Sequence, residues 1–390
     1  MNILSWVERM LTTAYLCCAI TIAAAAEPFD DSRLNALVPE LIKQERIAGV
    51  GIAVIRDRKL AWTGYYGEQA PGVPVSEKTV FNTGSVAKTI AAETMIALAE
   101  KGLIDLDEPV ARHVTHPDLA ADPRFQLLTP RLLVSHRAGL LNWAYAYPDG
   151  RLAFDHDPDT KFSYSGAGME LAARYAEAKT GKSYEELVFE HVLNPLGIAE
   201  MSVGSLASWT EGRLATPMNA DGEYGTLPDL APSLYYGNGN SAADDLLVTV
   251  PAYAKLLEAL LAGGPQADFK AKARATVITS QDEDPIYRCP DYAGLVCPDP
   301  FGHSIGWQAY HYGDHLVQKH SGSDAGENAF VYFSPDAGHG AVIFVNGANG
   351  WVVMTRIIEL IGDEPQIAAY YRGLLQSVMG REMPPLEFAD

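Results

Sequence analysis

The sequence has few basic residues for its length. Its 390 residues include 29 Lys and Arg against 49 Asp and Glu, which gives a formal net charge of −20. Nowhere do five Lys or Arg crowd together, so binding to nucleic acid or to anionic lipid is not expected. Internal repeats, heptad runs and low-complexity tracts are missing too, which excludes solenoids and coiled coils. The 48% of hydrophobic residues predicts a folded, globular chain.

One uncharged run stands out at the N-terminus, where 17 uncharged residues separate Arg9 from Glu27. This run is short for a membrane span of about 20 residues. Because it ends in the small-residue pattern Ala24-Ala25-Ala26, residues 1–26 are predicted to be a secretory signal peptide and residues 27–390 the mature domain. We therefore expect a periplasmic or secreted protein without stable membrane insertion after cleavage. An uncleaved anchor is the alternative.

Cysteine is scarce as well, with four in the whole chain. Cleavage would leave Cys289 and Cys297, eight positions apart in a stretch rich in turn-forming residues. In an oxidising compartment such a pair is predicted to form a disulfide. Two unpaired thiols are one alternative, and a metal site is another, although the stretch supplies no adjacent His.

The order of predicted elements is strands, a helix- and loop-rich middle, strands, and terminal helices. This order predicts an α+β fold: segments from both ends share one antiparallel sheet flanked by helices, and residues of about 105–280 form an inserted all-helical subdomain. A ligand cleft is expected at the seam. The predicted strands and helices outside the middle are residues 48–67 (a strand pair), 85–101 (helix), 301–313, 316–320, 328–334 and 340–346 (strands), and 352–361 and 367–378 (helices).

Ser85 and Lys88 are the first candidates for chemistry. Residues three apart on a helix share a face, so the Lys88 amine can reach the Ser85 hydroxyl. A desolvated lysine can take a proton from serine, and a helix start offers free N–H groups to a developing negative charge. By itself the pair also fits an ordinary capped helix.

Further motifs follow in a fixed order. The segments are Ser85-Val86-Ala87-Lys88, Tyr164-Ser165-Gly166, His320-Ser321-Gly322, the phrase LLVSHRAGL at 132–140 and the run 184–197 ending in NPLG. Together they resemble the serine β-lactamase and penicillin-binding-protein superfamily, in its class C-like branch, and the first three segments match the family's first, second and third boxes. The resemblance covers about residues 34–362 and implies a β-lactamase/transpeptidase-like fold.

The resemblance implies a role for each matching residue. Ser85 would be the acylated nucleophile, and Lys88 and Tyr164 would share the general-base and general-acid work. The backbone N–H groups of Ser85 and Ser323 would form an oxyanion hole. His136 matches a position that we expect to be structural.

The third box would face the substrate from the sheet edge, through His320, Ser321 and Gly322. His320 replaces a lysine, which would make carboxylate binding pH-dependent. Gly166 stands where the second box usually has Asn, so we expect weak discrimination on acyl side-chain amides. β-Lactams or D-Ala-type cell-wall peptides are the favoured substrates, with a carboxylesterase or D-amino amide hydrolase as the alternative. A catalytically weak binding protein on the same scaffold is the rival of another class.

Histidine is concentrated late in the chain, with five of ten between positions 303 and 339. A polar strand surface explains this bias most simply. The rival interpretation is zinc held by His311 and His315 across a tight turn. The chemistry implied by the family needs no metal, so no cofactor is expected to be required.

Overall fold

The computed structural model describes residues 29–204, 207–225, 241–264, 267–282, 284, 286–384 and 386. The predicted signal peptide, residues 1–26, lies outside the described residues. Among the described helices, none combines the length and the apolar character that crossing a bilayer requires.

A nine-stranded antiparallel sheet forms the centre of the molecule, in the order β3-β2-β1-β12-β11-β10-β9-β8-β7. Its β1 and β12 pair from Gly49↔Asn346 onward, which joins the two ends of the chain. A smaller sheet has the order β4-β6-β5. The strands are β1 Gly49–Arg56, β2 Lys59–Ala70, β3 Val73–Pro74, β4 Val80–Asn82, β5 Met201–Val203, β6 Leu246–Thr249, β7 Thr279–Ser280, β8 Phe301–His303, β9 Gln308–Tyr312, β10 His315–Asp324, β11 Glu327–Ser334 and β12 His339–Asn346.

Helices cover both faces of the large sheet. Along β11 the alternate residues Ala329, Val331 and Phe333 belong to one buried cluster, while Phe330 and Tyr332 belong to the other. The helices are α1 Ser32–Glu45, α2 Ala87–Glu100, α3 Pro130–Val134, α4 Gly166–Thr180, α5 Tyr184–Val188, α6 Asn194–Leu196, α7 Val250–Leu260, α8 Phe269–Ala275, α9 Gly350–Ile361 and α10 Pro365–Met379. A sheet buried on both sides explains why its strands are so apolar.

The α+β fold with a sheet shared by both ends of the chain is confirmed. The inserted middle is not entirely helical, because it contributes β5 and β6, whose three and four residues are too short to show a period. The strand predicted over 301–313 is two strands, β8 and β9. Between them Gly306 has φ +64, and a β-carbon there would lie 2.2 Å from Cβ of Ala92 on α2. The loop thus turns sharply where it meets α2.

The disulfide between Cys289 and Cys297 is present. The loop that it closes lies against α10, since a β-carbon on Gly373 would come within 2.7 Å of Cβ of Tyr292. The Tyr292 hydroxyl also donates a hydrogen bond to the carbonyl of Met383, at 3.2 Å. The crosslinked loop therefore supports the last helix.

Candidate active site

Ser85 lies at the junction between the small sheet and helix α2. Strand β4 ends at Asn82, and a 3₁₀ turn over Gly84–Val86 leads directly into α2. The side-chain oxygen of Asn82 accepts a hydrogen bond from the Gly84 N–H at 3.1 Å. Gly84 has φ +49, a conformation that suits glycine. This turn places the Ser85 hydroxyl at the helix start.

Lys88 lies fully buried beneath Ser85. Its Nζ is 2.9 Å from Ser85 Oγ and 2.7 Å from the carbonyl oxygen of Ala243. Burial lowers the pKa of Lys88, although the nearby carboxyl groups of Asp244 and Glu170 act in the opposite direction. The lysine is thus shifted toward the neutral form that can accept a proton.

Glu170 on α4 organises the segment that receives Lys88. One oxygen of its carboxylate accepts hydrogen bonds from the Ser241 hydroxyl and from the N–H groups of Ala242 and Ala243, at 2.8, 2.9 and 3.0 Å. This grip fixes the Ala243 carbonyl against Lys88. No pattern in the sequence points to Glu170, because its partners lie about 70 positions away along the chain.

Tyr164 faces the same pair from the segment before α4. Its ring centroid is 4.9 Å from Lys88 Nζ, and its hydroxyl hydrogen-bonds with Ser85. Burial raises the pKa of Tyr164 above its ordinary value, with the Ser85 hydrogen bond opposing it. The phenol is therefore protonated at neutral pH.

His136 supports this tyrosine segment from behind. Its Nδ1 accepts a hydrogen bond from the Ser165 N–H at 3.1 Å, and its ring lies 4.5 Å from the Tyr164 ring. Burial lowers the pKa of His136 well below its usual range, so the imidazole is neutral. The contacts place His136 as a support for the backbone next to Tyr164.

The third box runs inside β10, where sequence patterns had placed it at a strand end. A β-carbon on Gly322 would lie 3.1 Å from the backbone nitrogen of Ser85, and one on Gly84 would lie 3.3 Å from that of Ser323. The backbone nitrogens of Ser85 and Ser323 thus border one narrow gap between the helix start and the large sheet.

His320 is buried next to this gap. Its Nδ1–H donates to the carbonyl of Ser321 at 2.7 Å, and its Nε2 has no hydrogen-bond partner among the described residues. Burial is the main cause that lowers the pKa of His320 to about 3, helped by the charge of Lys88. A neutral imidazole thus occupies the position where the family's third box has a lysine. Because His320 becomes charged only at acid pH, carboxylate binding that depends on its charge is not expected near neutral pH.

A cavity of about 360 Å³ opens over these groups. The structure brings six predicted site residues to its wall: Ser85, Tyr164, His320, Ser321, Gly322 and Ser323. Helix α10 supplies a further part of the wall, which no sequence pattern predicted. Periodicity alone cannot separate an apolar face that packs in the core from one that lines a cavity. The cavity-lining residues of α10 are Tyr370, Tyr371, Leu374, Leu375, Val378 and Met379.

Gly166 does not line this cavity, which corrects the expectation for the second box. Its N–H donates to Oδ1 of Asn142 at 2.7 Å, and a β-carbon at 166 would lie 2.5 Å from the indole of Trp143. The space for a side chain is thus filled by Trp143. Asn142, to which no sequence motif points, lines the cavity and has a side-chain amide.

A second cavity of about 720 Å³ adjoins the first and shares Asn142 and Tyr164 with it. Two cations line it, and each pairs with an acid: Arg137 Nε lies 2.7 Å from Asp159, and Lys161 Nζ lies 3.9 Å from Asp155. Further acids line the same cavity, namely Asp282 and Asp284. The acidic groups around this second cavity therefore outnumber its two cations, so it offers no excess positive charge to a substrate carboxylate.

The zinc pair suggested by the sequence is not formed. His311 is opposite Leu316 in the β9–β10 ladder, whereas His315 is opposite Tyr312. Opposite residues share a face and successive residues alternate, so His311 and His315 point to different faces of the sheet. One ion cannot bind both. His315 instead contacts Asp336 and Glu364.

The chain matches the family model "Beta-lactamase" over residues 34–362 and belongs to the beta-lactamase family, whose fold and members are those of serine hydrolases. This confirms the resemblance carried by the three boxes. The chain is 27% identical over 282 residues to "Putative beta-lactamase-like 1" from Homo sapiens, covering 66% of this chain and 54% of that one. It therefore spans about half the length of the human protein.

Two further relatives match over more of their length. Penicillin-binding protein 4 of Amycolatopsis lactamdurans is 25% identical over 359 residues, which cover 86% of this chain and 91% of that protein. The octameric penicillin-binding protein homologue from Pyrococcus abyssi has a TM-score of 0.69 at 19% identity, covering 89% of this chain and 81% of its own. The second likeness shows the fold alone.

Proposed function

We propose that the protein hydrolyses carboxylic esters or amides through an acyl-enzyme on Ser85, and that its substrates carry no free carboxylate. The observation that carries the proposal is the wall of the 360 Å³ cavity: among the described residues that line it, none is Lys or Arg. A buried anion without a cationic partner is costly, so this wall favours neutral substrates.

The contacts support a division of labour in the chemical steps. The Lys88 amine, its pKa lowered by burial, would take the proton from Ser85 Oγ as that oxygen attacks the carbonyl carbon. Tyr164, its pKa raised, would act as a neutral hydroxyl that passes the proton to the leaving group. Water would then release the acid by the reverse route.

The narrow gap between α2 and β10 supports stabilisation of the tetrahedral intermediate. The N–H groups of Ser85 and Ser323 border it, and both would donate to the oxyanion of the tetrahedral intermediate. Asn142 Oδ1 is already engaged by Gly166, so its NH₂ group is the part left to bind a substrate carbonyl. The apolar α10 wall would hold the apolar part of the substrate.

Hydrolysis of β-lactams or D-Ala-type peptides is the second candidate. It is favoured by the match to a relative that is named a penicillin-binding protein, along 91% of that protein's length. Such substrates carry a carboxylate that has to be accommodated next to His320. Since the pKa of His320 is lowered to about 3 and its Nδ1 proton is donated to Ser321, the neutral ring offers a carboxylate neither a positive charge nor a hydrogen-bond donor at Nε2. The neutral-substrate proposal and this candidate thus differ in whether a free carboxylate on the substrate lowers or raises kcat/KM.

Two pairs of substrates, each with one neutral and one carboxylate-bearing member, test the difference. We expect a D-alanyl amide and a neutral chromogenic ester to have kcat/KM values at least about tenfold above those of the free-acid peptide and a chromogenic cephalosporin, a gap of about 1.4 kcal/mol. Ser85→Ala should abolish turnover of all four. A higher kcat/KM for the carboxylate-bearing member of each pair would reverse the assignment.

Covalent labelling tests the alternative of a protein that binds its ligand without turnover. A fluorophosphonate probe should label wild type once, on Ser85, and should not label Ser85→Ala. Label on Ser85→Ala would place the nucleophile elsewhere. Saturable binding of the substrates without turnover or label would instead support the catalytically weak binding protein.

We also propose that the protein is exported. The Cys289–Cys297 disulfide supports this, because disulfides persist mainly in oxidising compartments. Cell fractionation should recover the folded protein outside the cytoplasm, with both thiols blocked against alkylation. Recovery in the cytoplasm with two free thiols would contradict it.

A further inference from the structure

A cluster of histidines and carboxylates lies at the far end of β10 from Gly322. His315 begins β10, His339 begins β12, and Glu364 immediately precedes α10. One oxygen of the buried Glu364 carboxylate is 3.0 Å from His315 Nε2 and 2.7 Å from His339 Nε2. Three separate elements thus converge on a single point.

The spacing of these three atoms suits a metal ion. One ligand atom from each of the three side chains lies within 4.8 Å of the ligand atoms of the other two. In tetrahedral zinc sites with bonds of about 2.0–2.2 Å, ligand atoms are about 3.3 Å apart. Side-chain adjustment from these separations would therefore let an ion bind among His315, His339 and Glu364. Two imidazoles and one carboxylate are also a donor set that zinc uses.

Asp336 adds the outer contact that metal-binding histidines commonly have. Its carboxylate is 2.8 Å from His315 Nδ1, and it is fixed in place by the Leu316 N–H at 3.0 Å and the Ser334 hydroxyl at 3.1 Å. A proton on Nδ1 donated to Asp336 leaves the Nε2 lone pair directed at Glu364, which is itself an acceptor. A cation has to lie in that contact, either a second proton or a metal ion.

Two buried tyrosine hydroxyls that are under the electrostatic influence of Glu364 are consistent with a bound water at this cluster. The hydroxyls of Tyr312 and Tyr332 have no hydrogen-bond partner among the described residues, and both interact electrostatically with Glu364. Buried polar groups without a partner are uncommon. An ion with three protein ligands keeps a water molecule in its fourth position. Such a water would offer a partner to a hydroxyl within hydrogen-bond distance of it, which a proton between His315 and Glu364 would not.

We propose that His315, His339 and Glu364 bind a divalent transition-metal ion, zinc by its donor set. The site would tie β10 and β12 to the start of α10. Because α10 forms the apolar wall of the cavity over Ser85, the metal would hold that wall in position without touching the reacting atoms.

Zinc alone is the probe that tests the site. The full chain, stripped with a chelator and titrated near neutral pH in a calorimeter, should bind one equivalent of Zn²⁺ and unfold at a higher temperature with it. His339→Ala should lose this binding. Asp336→Asn should weaken the affinity about 10- to 100-fold, the usual effect of removing an outer-shell partner. His311→Ala, on the opposite face of the neighbouring strand, is the matched control and should bind like wild type.

Titration with Co²⁺ gives a measurement that does not depend on the variants folding. Wild type should develop the visible absorption of a tetrahedral cobalt site at one equivalent, and Zn²⁺ should displace it. Binding of well under one equivalent of Zn²⁺, or a wild-type protein without the cobalt bands, would leave a protonated His–Glu–His network and overturn the proposal. Unchanged binding in folded His339→Ala would overturn it too.

Discussion

Gly322 and Thr83 approach each other so closely that a β-carbon on Gly322 would lie 1.9 Å from the carbonyl oxygen of Thr83. This contact joins β10 of the large sheet to the turn that carries Ser85. Only glycine allows the two backbones to come this near, because any side chain would push the strand away from the helix start. The width of the gap between Ser85 and Ser323 therefore depends on a missing side chain.

Gly322→Ala should lower the proposed hydrolytic turnover without unfolding the protein. Moving β10 outward would take the Ser323 N–H away from the oxyanion, and losing one such donor costs about 10²–10³ in kcat. The measurement is kcat for a neutral ester, with circular dichroism to confirm the fold. Gly264→Ala is the control, since a β-carbon there meets nothing within 4 Å and the backbone is not left-handed. Turnover within about twofold of wild type would argue against the oxyanion role.

Lys88 should set the acid limb of the pH–rate profile. Burial lowers its pKa from the ordinary 10.5, so the neutral, proton-accepting form accumulates at a lower pH than for an exposed lysine. We expect kcat/KM to rise with pH through a midpoint well below 10.5. Lys88→Arg keeps the charge but stays protonated, and it should lose at least about 10²-fold in rate. An active Lys88→Arg variant with the same acid limb would move the base elsewhere.

Glu93 should be a main support of helix α2. Its carboxylate lies 2.9 Å from Arg274 Nη1 and 3.0 Å from the indole Nε1 of Trp307, and the ion pair is buried. Glu93→Leu would leave the Arg274 charge unpaired, which costs about 3–5 kcal/mol of unfolding free energy in urea titrations.

Two comparisons test whether the unpaired charge of Arg274 causes the loss of stability in Glu93→Leu. Adding Arg274→Met to Glu93→Leu should recover most of the loss, since both charges are then removed. Glu40→Ala removes an exposed pair with Lys43 and should change stability by no more than about 1 kcal/mol. A double variant as unstable as Glu93→Leu alone would show that packing, and not the unpaired charge, is responsible.

Gly166→Asn should harm packing and leave substrate preference unchanged. The new side chain would meet the indole of Trp143, and overpacking of this kind costs about 1–3 kcal/mol. The ratio of kcat/KM for amide-bearing and amide-free substrates should stay as in wild type. Asn142→Ala should change that ratio, because Asn142 lines the cavity. A ratio altered by Gly166→Asn at unchanged stability would restore position 166 as a substrate contact.

Local patterns in the sequence predicted a good part of this molecule. Three-residue spacing placed Lys88 against Ser85, because helix geometry depends on nearby residues alone. Alternation and apolar runs located β1 and most of the C-terminal strands, and the Cys289–Cys297 pairing followed from short separation in a turn-rich stretch. The order of the boxes around Ser85, Tyr164 and His320 indicated the family.

The tertiary structure decided what surrounds those groups. Glu170 holds Ala243 against Lys88 from about 70 residues away, and α10 forms the cavity wall more than 280 positions after Ser85. The face of β10 that carries His315 depends on its register with β9, which excludes His311 and selects His339 and Glu364. These outcomes depend on contacts between distant segments and on which space is already filled, as Trp143 fills the space at Gly166. Neither periodicity nor spacing along one chain carries that information, because packing is determined only when all the elements are in place.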